Sequence, residues 1–497
     1  MKKKVPELVD FSKERIRVLH FTWIAFFISF FLWFNMAPLA TTMLDELGGS
    51  GGWLTKEHIA LLAICNVALT IPARVVIGAA LDRYGPRRCF SALLIVMAIP
   101  ALVFAFGTSF MQLMVARLVL STVGAGFVIG IRMVSQWFPP KMMGRAEGFY
   151  AGWGNFGSAA AAMVLPWVAL EVFAFEGGWR WAMALNAVVS LLYGVFYFFA
   201  VRDAPEGTKM AGISKVEPLR VSSKGDLLQY CLFSFPLVGA LGLLAWRAST
   251  IGLGEEGNPI ISDTALWVIF GVLGLMFVAH VAKTLQVNLP RLKRGVPKEE
   301  RYSFNSVAAL NVTYFANFGA ELAVISMLPA FFQGTFELTP GMAGLLASSF
   351  AFVNLFARPV GGLLSDTMRN RKLVMLLYML GITLGFLGMG FIDGDWPIWL
   401  ALALTVFCAI FVQGAEGATF AIIPMVNKRL TGQIAGMAGS YGNVGAVVYL
   451  VVFSLVSPNT FFFVLAAGAC FAFLYCLVFL EEPEASFSDE LMVEELK

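Results

Sequence analysis

Two arginines stand where an arginine is expensive. Arg74 and Arg358 each lie within a long apolar run, and each precedes an aspartate, Asp82 and Asp366, by eight residues. In a helix that spacing spans ~12 Å, which puts both guanidinium groups near mid-bilayer if the runs cross one. A charge at that depth costs at least ~2.5–3.5 kcal/mol. Two like charges facing one cavity would also repel, and a bound anion relieves both penalties. The guanidinium fork is planar and pairs well with a planar oxyanion, whereas lysine supplies charge without that geometry. The competing reading is structural, each arginine bonding a helix carbonyl or a carboxylate of its own.

Other polar residues share these runs. Asn354 precedes Arg358 by four positions, on the same helix face. It can offer its amide to the same ligand or to a neighbouring helix. Glu321 and Glu416 are the remaining acids in apolar surroundings. Each could take up a proton together with the anion, since burial penalises a bare carboxylate. Each could instead pair with an arginine or an amide within its own half. Asn155 and Asn443 stand in glycine-rich apolar stretches, where an amide could line a path.

The elements that must position these groups are membrane helices. Of 497 residues 59% are hydrophobic and only 13% are charged, about half the charged share of a soluble domain. The mean hydropathy is +0.77. Fourteen apolar segments are predicted, roughly 19–43, 57–81, 88–107, 110–137, 146–172, 180–201, 227–247, 263–283, 304–332, 341–365, 372–392, 396–424, 433–457 and 460–480. Each must be helical, because lipid offers backbone groups no partners. The charged start, MKKKVPELVDFSKERIR, has no cleavage pattern after its first apolar run and predicts a retained helix, not a signal peptide. Lysine and arginine gather on alternate loops: Lys2 to Lys4, Arg83, Arg87 and Arg88, Lys141 and Arg145, Arg291 to Arg294, Arg369 to Lys372, Lys428 and Arg429. Lys56, Arg180 and Arg247 are the exceptions. By the positive-inside rule both termini are cytoplasmic in a cell membrane. The acidic stretch 481–497 reads as a solvated tail.

The chain repeats itself. ARVVIGAALDRYGPRR (73–88) is echoed by ARPVGGLLSD (357–366), with Gly78 and Gly362 four residues after each arginine. GRAEGFYAGWGNFG (144–157) is echoed by GQIAGMAGSYGNVG (432–445), so that Gly144, Gly148 and Asn155 match Gly432, Gly436 and Asn443. Arg74 and Asn155 lie 81 residues apart in the first half, and Arg358 and Asn443 lie 85 apart in the second. Such agreement implies a duplicated six-helix unit. The expected organisation is a first half at 1–201, an insert at 202–303 carrying two extra helices, a second half at 304–480, and the tail. The fold class is an all-α membrane bundle of fourteen helices. Gly148, Gly152, Gly154 and Gly157 permit close helix approach. The last three match GxGxxG by letter, but inside an apolar helix this is no dinucleotide fingerprint.

These motifs resemble the major facilitator superfamily. GAALDRYGPRR (78–88) looks like its loop between the second and third helices, and SDTMRNRK (365–372) is a degenerate echo. Within it, the two Gly/Asn segments, the two arginines and FVQGAEGATFAIIPMVNKR (411–429) resemble the nitrate/nitrite porter family. The resemblance covers the twelve core helices and leaves out 202–303. It implies a secondary carrier of nitrate or nitrite working by alternating access, with the anion between Arg74 and Arg358. Phe127, Tyr314 and Phe318 match ring-bearing pocket positions, although 14% of the chain is aromatic and packing roles compete. Asp82, Arg83, Arg88 and Asp366 would form a latch at the cytoplasmic mouth, beyond their topological role. Proton symport and nitrate/nitrite exchange both remain open, as does carriage of another small anion.

Other classes fit poorly. There is no metal-ligand spacing, no Ser/His/Asp set and no phosphate loop, so no enzyme, metal or cofactor is expected. The six cysteines form no CxxC pair, and His20, His58 and His280 lie far apart. A net charge of +3 does not argue for nucleic acid. No loop is long enough for a nucleotide domain, and the repeat favours a carrier over a channel. A sensor on the same fold remains a separate possibility, and nothing reads on oligomeric state.

Overall fold

The computed structural model describes residues 10–49, 52–138, 140–206, 218–253, 257–297, 300–368 and 370–482. The side chains of Asp82 and Lys141, and the tail from residue 483, lie outside the described residues. Among the described residues fourteen spans are long and apolar enough to cross a membrane, as expected. They are α1 (Glu14–Gly48), α2 (Lys56–Leu81), α3 (Arg83–Phe106), α4 (Phe110–Trp137), α5 (Arg145–Val172), α6 (Gly178–Ala200), α7 (Lys224–Ser249) and α8 (Asp263–Arg294). The second half follows as α9 (Phe304–Phe336), α10 (Pro340–Thr367), α11 (Arg371–Met389), α12 (Ile398–Val426), α13 (Thr431–Phe453) and α14 (Pro458–Phe479).

The two halves pack by one plan. In the first, α1 lies on α5 and α3 on α6; in the second, α9 lies on α13 and α11 on α14. Glycine makes the tightest of these contacts possible. A Cβ on Gly157 would stand 2.1 Å from the Phe27 carbonyl oxygen of α1, and one on Gly445 2.3 Å from that of Phe315 in α9. The loop after the second helix of each half is also held alike. The carboxylate of Asp203, three residues beyond α6, accepts from the Arg87 amide at 2.7 Å. Glu482, three residues beyond α14, accepts from the amides of Arg371 and Lys372 at 2.9 and 2.7 Å. Both carboxylates sit at a helix N-terminus, where the exposed N–H groups favour negative charge.

Several spans are broken near their middle. The α-helix of α2 is interrupted at Leu69, that of α10 at Val353, and α4 tightens to a 3₁₀ segment over Ser121–Ala125. Pro72 explains the first break, since it lacks an N–H and clashes one turn back. Freed backbone groups need partners in lipid, and the flanking helix supplies them in both halves. Ser121 of α4 accepts from the Leu69 amide at 3.1 Å, and its carbonyl accepts from the Thr70 hydroxyl. Gln413 of α12 donates to the Phe350 carbonyl of α10 at 2.6 Å. The breaks in α2 and α10 each lie five residues before one of the paired arginines.

The two inserted helices stand apart from this repeat. α7 packs against α13 and the start of α2, while α8 rests on α7. Trp267 and Leu275 on α8 are each 72% exposed, a surface suited to lipid.

Candidate functional site

The site is assembled where the broken helices meet. Arg74 reaches from α2 across the boundary between the halves, so that its Nη1 would lie 2.4 Å from a Cβ on Gly439 of α13. Arg358 comes from α10 on the other side. The two guanidinium carbons share the same pair of rings: Arg74 stands 5.5 Å from the Phe127 ring centre and 5.9 Å from that of Phe318, and Arg358 5.7 and 5.9 Å from the same two. Arg358 also lies 6.0 Å from the ring of Phe420. Phe127 and Phe420 meet edge to face across the halves at 5.5 Å, and Phe318 stacks on Tyr314 at 5.1 Å. Aromatic faces favour cations, so the rings wall a compartment fit for two guanidinium groups.

The two arginines differ in their partners. Arg358 forms an ion pair with Glu416 at 2.7 Å, not aligned as a hydrogen bond, and donates to the Tyr314 hydroxyl at 2.9 Å. Arg74 has no ion pair among the described residues, and its Nε and Nη1 are buried without a hydrogen-bond partner. Both side chains are nearly inaccessible, at 5% and 3% exposure. The pair thus comprises one compensated cation and one uncompensated one. An uncompensated buried charge is costly unless something charged or polar meets it.

The acids divide as the alternative sequence reading allowed. Glu416 pairs with Arg358, while Glu321 accepts from the amide nitrogen of Asn354. One oxygen of Glu321 and the Asn354 amide oxygen remain buried and unpartnered. Asn155 is buried with neither amide atom bonded, and Asn443 donates to the Gly439 carbonyl at 3.1 Å. Asn443 therefore sits one helical turn from the residue that Arg74 touches. Gly442 lies against both the Tyr314 and Phe318 rings.

The expected latch residues are more scattered. Asp366 pairs with Arg371 of α11 at 2.6 Å, and Arg371 also reaches the Ala421 carbonyl. Arg83 and Arg88 are exposed and form no ion pair among the described residues; Arg83 lies 5.3 Å from the Tyr84 ring. No candidate metal cluster occurs among the described residues.

Residues 22–296 and 310–493 match the family model described as Major Facilitator Superfamily. The chain is 44% identical to the nitrate/nitrite transporter NrtP of Nostoc punctiforme, over 97% of this chain and 95% of that one. It belongs to the nitrate/nitrite porter branch of the major facilitator superfamily. The porter is also 44% identical to NrtP of Picosynechococcus, covering 96% and 94% of the two chains. It is 26% identical to the high-affinity nitrate transporter 2.3 of Oryza sativa, over 90% of this chain and 73% of that one. The xylose transporter XylE of E. coli, in a partially occluded inward-open form, shares its fold, with a TM-score of 0.62 at 13% identity, covering 95% of this chain and all of that one. These relatives are named as transporters, in keeping with the expectation of a carrier rather than an enzyme.

Two residues that lie against the arginine pair were not singled out in the sequence: Phe420 and Gly439. Asn311, Tyr314, Phe318 and Glu321 recur at helical spacing, so a polar and aromatic stripe on one face of α9 was there to be read. Phe420 follows Glu416 by one turn. Away from the pair, an apolar groove of about 700 Å³ runs between α2 and α3, lined by residues such as Pro72, Val76 and Leu93. Neither Arg74 nor Arg358 lines it, and its walls suit hydrocarbon rather than an anion.

Proposed function

We propose that the porter moves nitrate and nitrite across the cytoplasmic membrane by alternating access, clasping the anion between Arg74 and Arg358. The observation that carries this reading is the shared pair of rings under both guanidinium groups, with Arg74 uncompensated. A planar monoanion between the two would satisfy the orphaned Nε and Nη1 of Arg74 with charge-assisted hydrogen bonds. Phe127, Tyr314 and Phe318 would shape and dry the compartment. Asn155, Asn354 and Asn443 would border the path. The relatives named for nitrate and nitrite support the choice of anion.

Glu416 supplies a coupling device. While ionised it holds Arg358; once protonated it releases that guanidinium to the anion. Glu321, Tyr314 and Arg74 are the other titratable or charged groups in electrostatic reach of this pair. On this reading a proton enters with the anion, and uptake is proton symport. Segments 1–201 and 304–480 would rock as two units about the site, with both termini in the cytoplasm. The Asp366–Arg371 pair, with Asp82, Arg83 and Arg88 in the equivalent loop, would brace the helices at the inner mouth.

Purified porter in liposomes tests this. A pH gradient, acid outside, should drive labelled nitrate inward and make the outside more alkaline. Arg74→Lys or Arg358→Lys should abolish accumulation. Nitrate entry only in exchange for nitrite, indifferent to the gradient, would replace symport by antiport. Full activity in both lysine variants would sink the anion clasp.

A further inference from the structure

Asn311 on α9 is fully buried, and both its amide nitrogen and its amide oxygen lack a hydrogen-bond partner. Burying an unpaired amide is unfavourable, so such a residue calls for a reason. Its place suggests one. On a helical wheel Asn311 falls on the stripe of Tyr314, which bonds Arg358, and Phe318, which lies under both guanidinium groups. It stands one turn nearer the end of α9 that follows the basic loop of Arg291, Lys293 and Arg294.

The packing of α9 on α13 fixes what lies at that level. The two helices run side by side in one direction, with Gly319 against Gly445, and Tyr314 and Phe318 against Gly442. Carried one turn back, the same register sets Asn311 level with Gly439, the residue against which Arg74 places Nη1. Asn311 and the unpartnered edge of Arg74 therefore occupy the same layer of the molecule, on the basic side of the shared rings.

We infer that Asn311 is an anion ligand of the inner side of the site: its amide N–H₂ donates to the oxyanion beside Arg74, and receives it as the anion moves toward the basic end. An amide suits this step, since it gives a hydrogen bond without adding a third cation that would slow release. The inference rests on the anion clasp proposed above.

The test compares wild type, Asn311→Leu and Asn311→Asp for nitrate-dependent thermal stabilisation in detergent and for the nitrate KM in liposomes. Leucine is close in volume and removes an unpaired polar group, so the ligand-free Tm should hold or rise. If Asn311 is a ligand, the same variant should need on the order of tenfold more nitrate for half-maximal stabilisation and for uptake, the size of one hydrogen bond to a charged group. Asn311→Asp should lose both, because a carboxylate repels the anion. A higher Tm in the leucine variant with unchanged nitrate dependence would overturn the inference and leave the clasp intact. Absence of nitrate stabilisation in wild type would overturn the clasp and the inference together.

Discussion

At the scale of single residues, the decisive feature is the inequality between two arginines that look equivalent in the sequence. Arg358 has Glu416 and Tyr314; Arg74 has neither an acid nor a phenol. A symmetric clasp would hold an anion between two cations and release it slowly. On the proposed symport reading, compensating one of them with Glu416 keeps the net charge low until a proton arrives. Glu416→Gln should separate the roles. The glutamine keeps the shape of the carboxyl but cannot ionise, so Arg358 is permanently available. Nitrate/nitrite exchange across liposomes should persist, whereas accumulation against a gradient at an imposed pH difference should be lost. Unchanged pH-driven accumulation in that variant would remove Glu416 from coupling. Gly439→Ala bears on the other arginine. Its methyl would stand 2.4 Å from Nη1, and the flexible tip must shift away. The expected result is a several-fold rise in nitrate KM with little change in Tm, read from initial uptake rates.

At the scale of elements, the breaks in α2 and α10 explain how the arginines come to face inward from spans that otherwise pack tightly. An unbroken helix offers no free backbone groups at mid-membrane; a broken one needs neighbours to satisfy them. Ser121 and Gln413 do this in corresponding places of the two halves. Gln413→Leu should leave the Phe350 carbonyl unpaired and destabilise the fold by ~1–3 kcal/mol, seen as a lower Tm in detergent. An unchanged Tm would show that the carbonyl finds another donor. Arg117 does a similar task in α1, whose α-helix stops at Phe34 and resumes at Ala40: it is fully buried and reaches the Trp33 carbonyl, the Asn66 amide oxygen and, at 2.9 Å, the Asn35 amide oxygen. Much of this scale was legible. Apolar runs located the spans, and the 81- and 85-residue separations exposed the repeat. The break at Val353 was not legible, because no proline stands there. Nor was the choice of Glu416 over Glu321 as the partner of Arg358, since both acids are equally apolar in context and only tertiary packing separates them. The carboxylates that hold the α2–α3 and α10–α11 loops left a faint signal, an acid shortly before a proline at Asp203-Ala-Pro and Glu482-Pro, which acquires meaning only once the loop amides are seen against them.

At the scale of the whole molecule, the question is what the inserted pair of helices does to a carrier proposed to work by rocking two halves. Composition located α7 and α8 but said nothing of what they touch, since an apolar helix reads the same against protein or lipid. The structure shows α7 tied to both halves at the end opposite the basic loops. Arg247 donates to the Ser454 hydroxyl at 2.8 Å and to the Ser454 carbonyl at 3.2 Å, just beyond α13. On the first half, the ring of His58 meets the Gly252 carbonyl at 3.0 Å, and Glu57 approaches Arg247 at 3.9 Å. At the same end the halves close directly, through Thr41 and Gln333 at 2.7 Å and through the close approach of Gly344 to the Ala162 carbonyl. At the basic end, by contrast, Gly78, Gly432 and Gly436 face open space. A segment bonded to both halves on the closed side resists opening there. Arg247→Met keeps the apolar stem and drops the hydrogen bonds, so it should favour the conformation open at that end. A Gln333→Cys reporter should then react faster with a membrane-impermeant maleimide added from that side, and nitrate entry should show a changed balance between uptake and release. Equal labelling rates with and without Arg247 would mean that α7 rides on one half as a passenger, and that the α5–α10 contact holds that end shut without it.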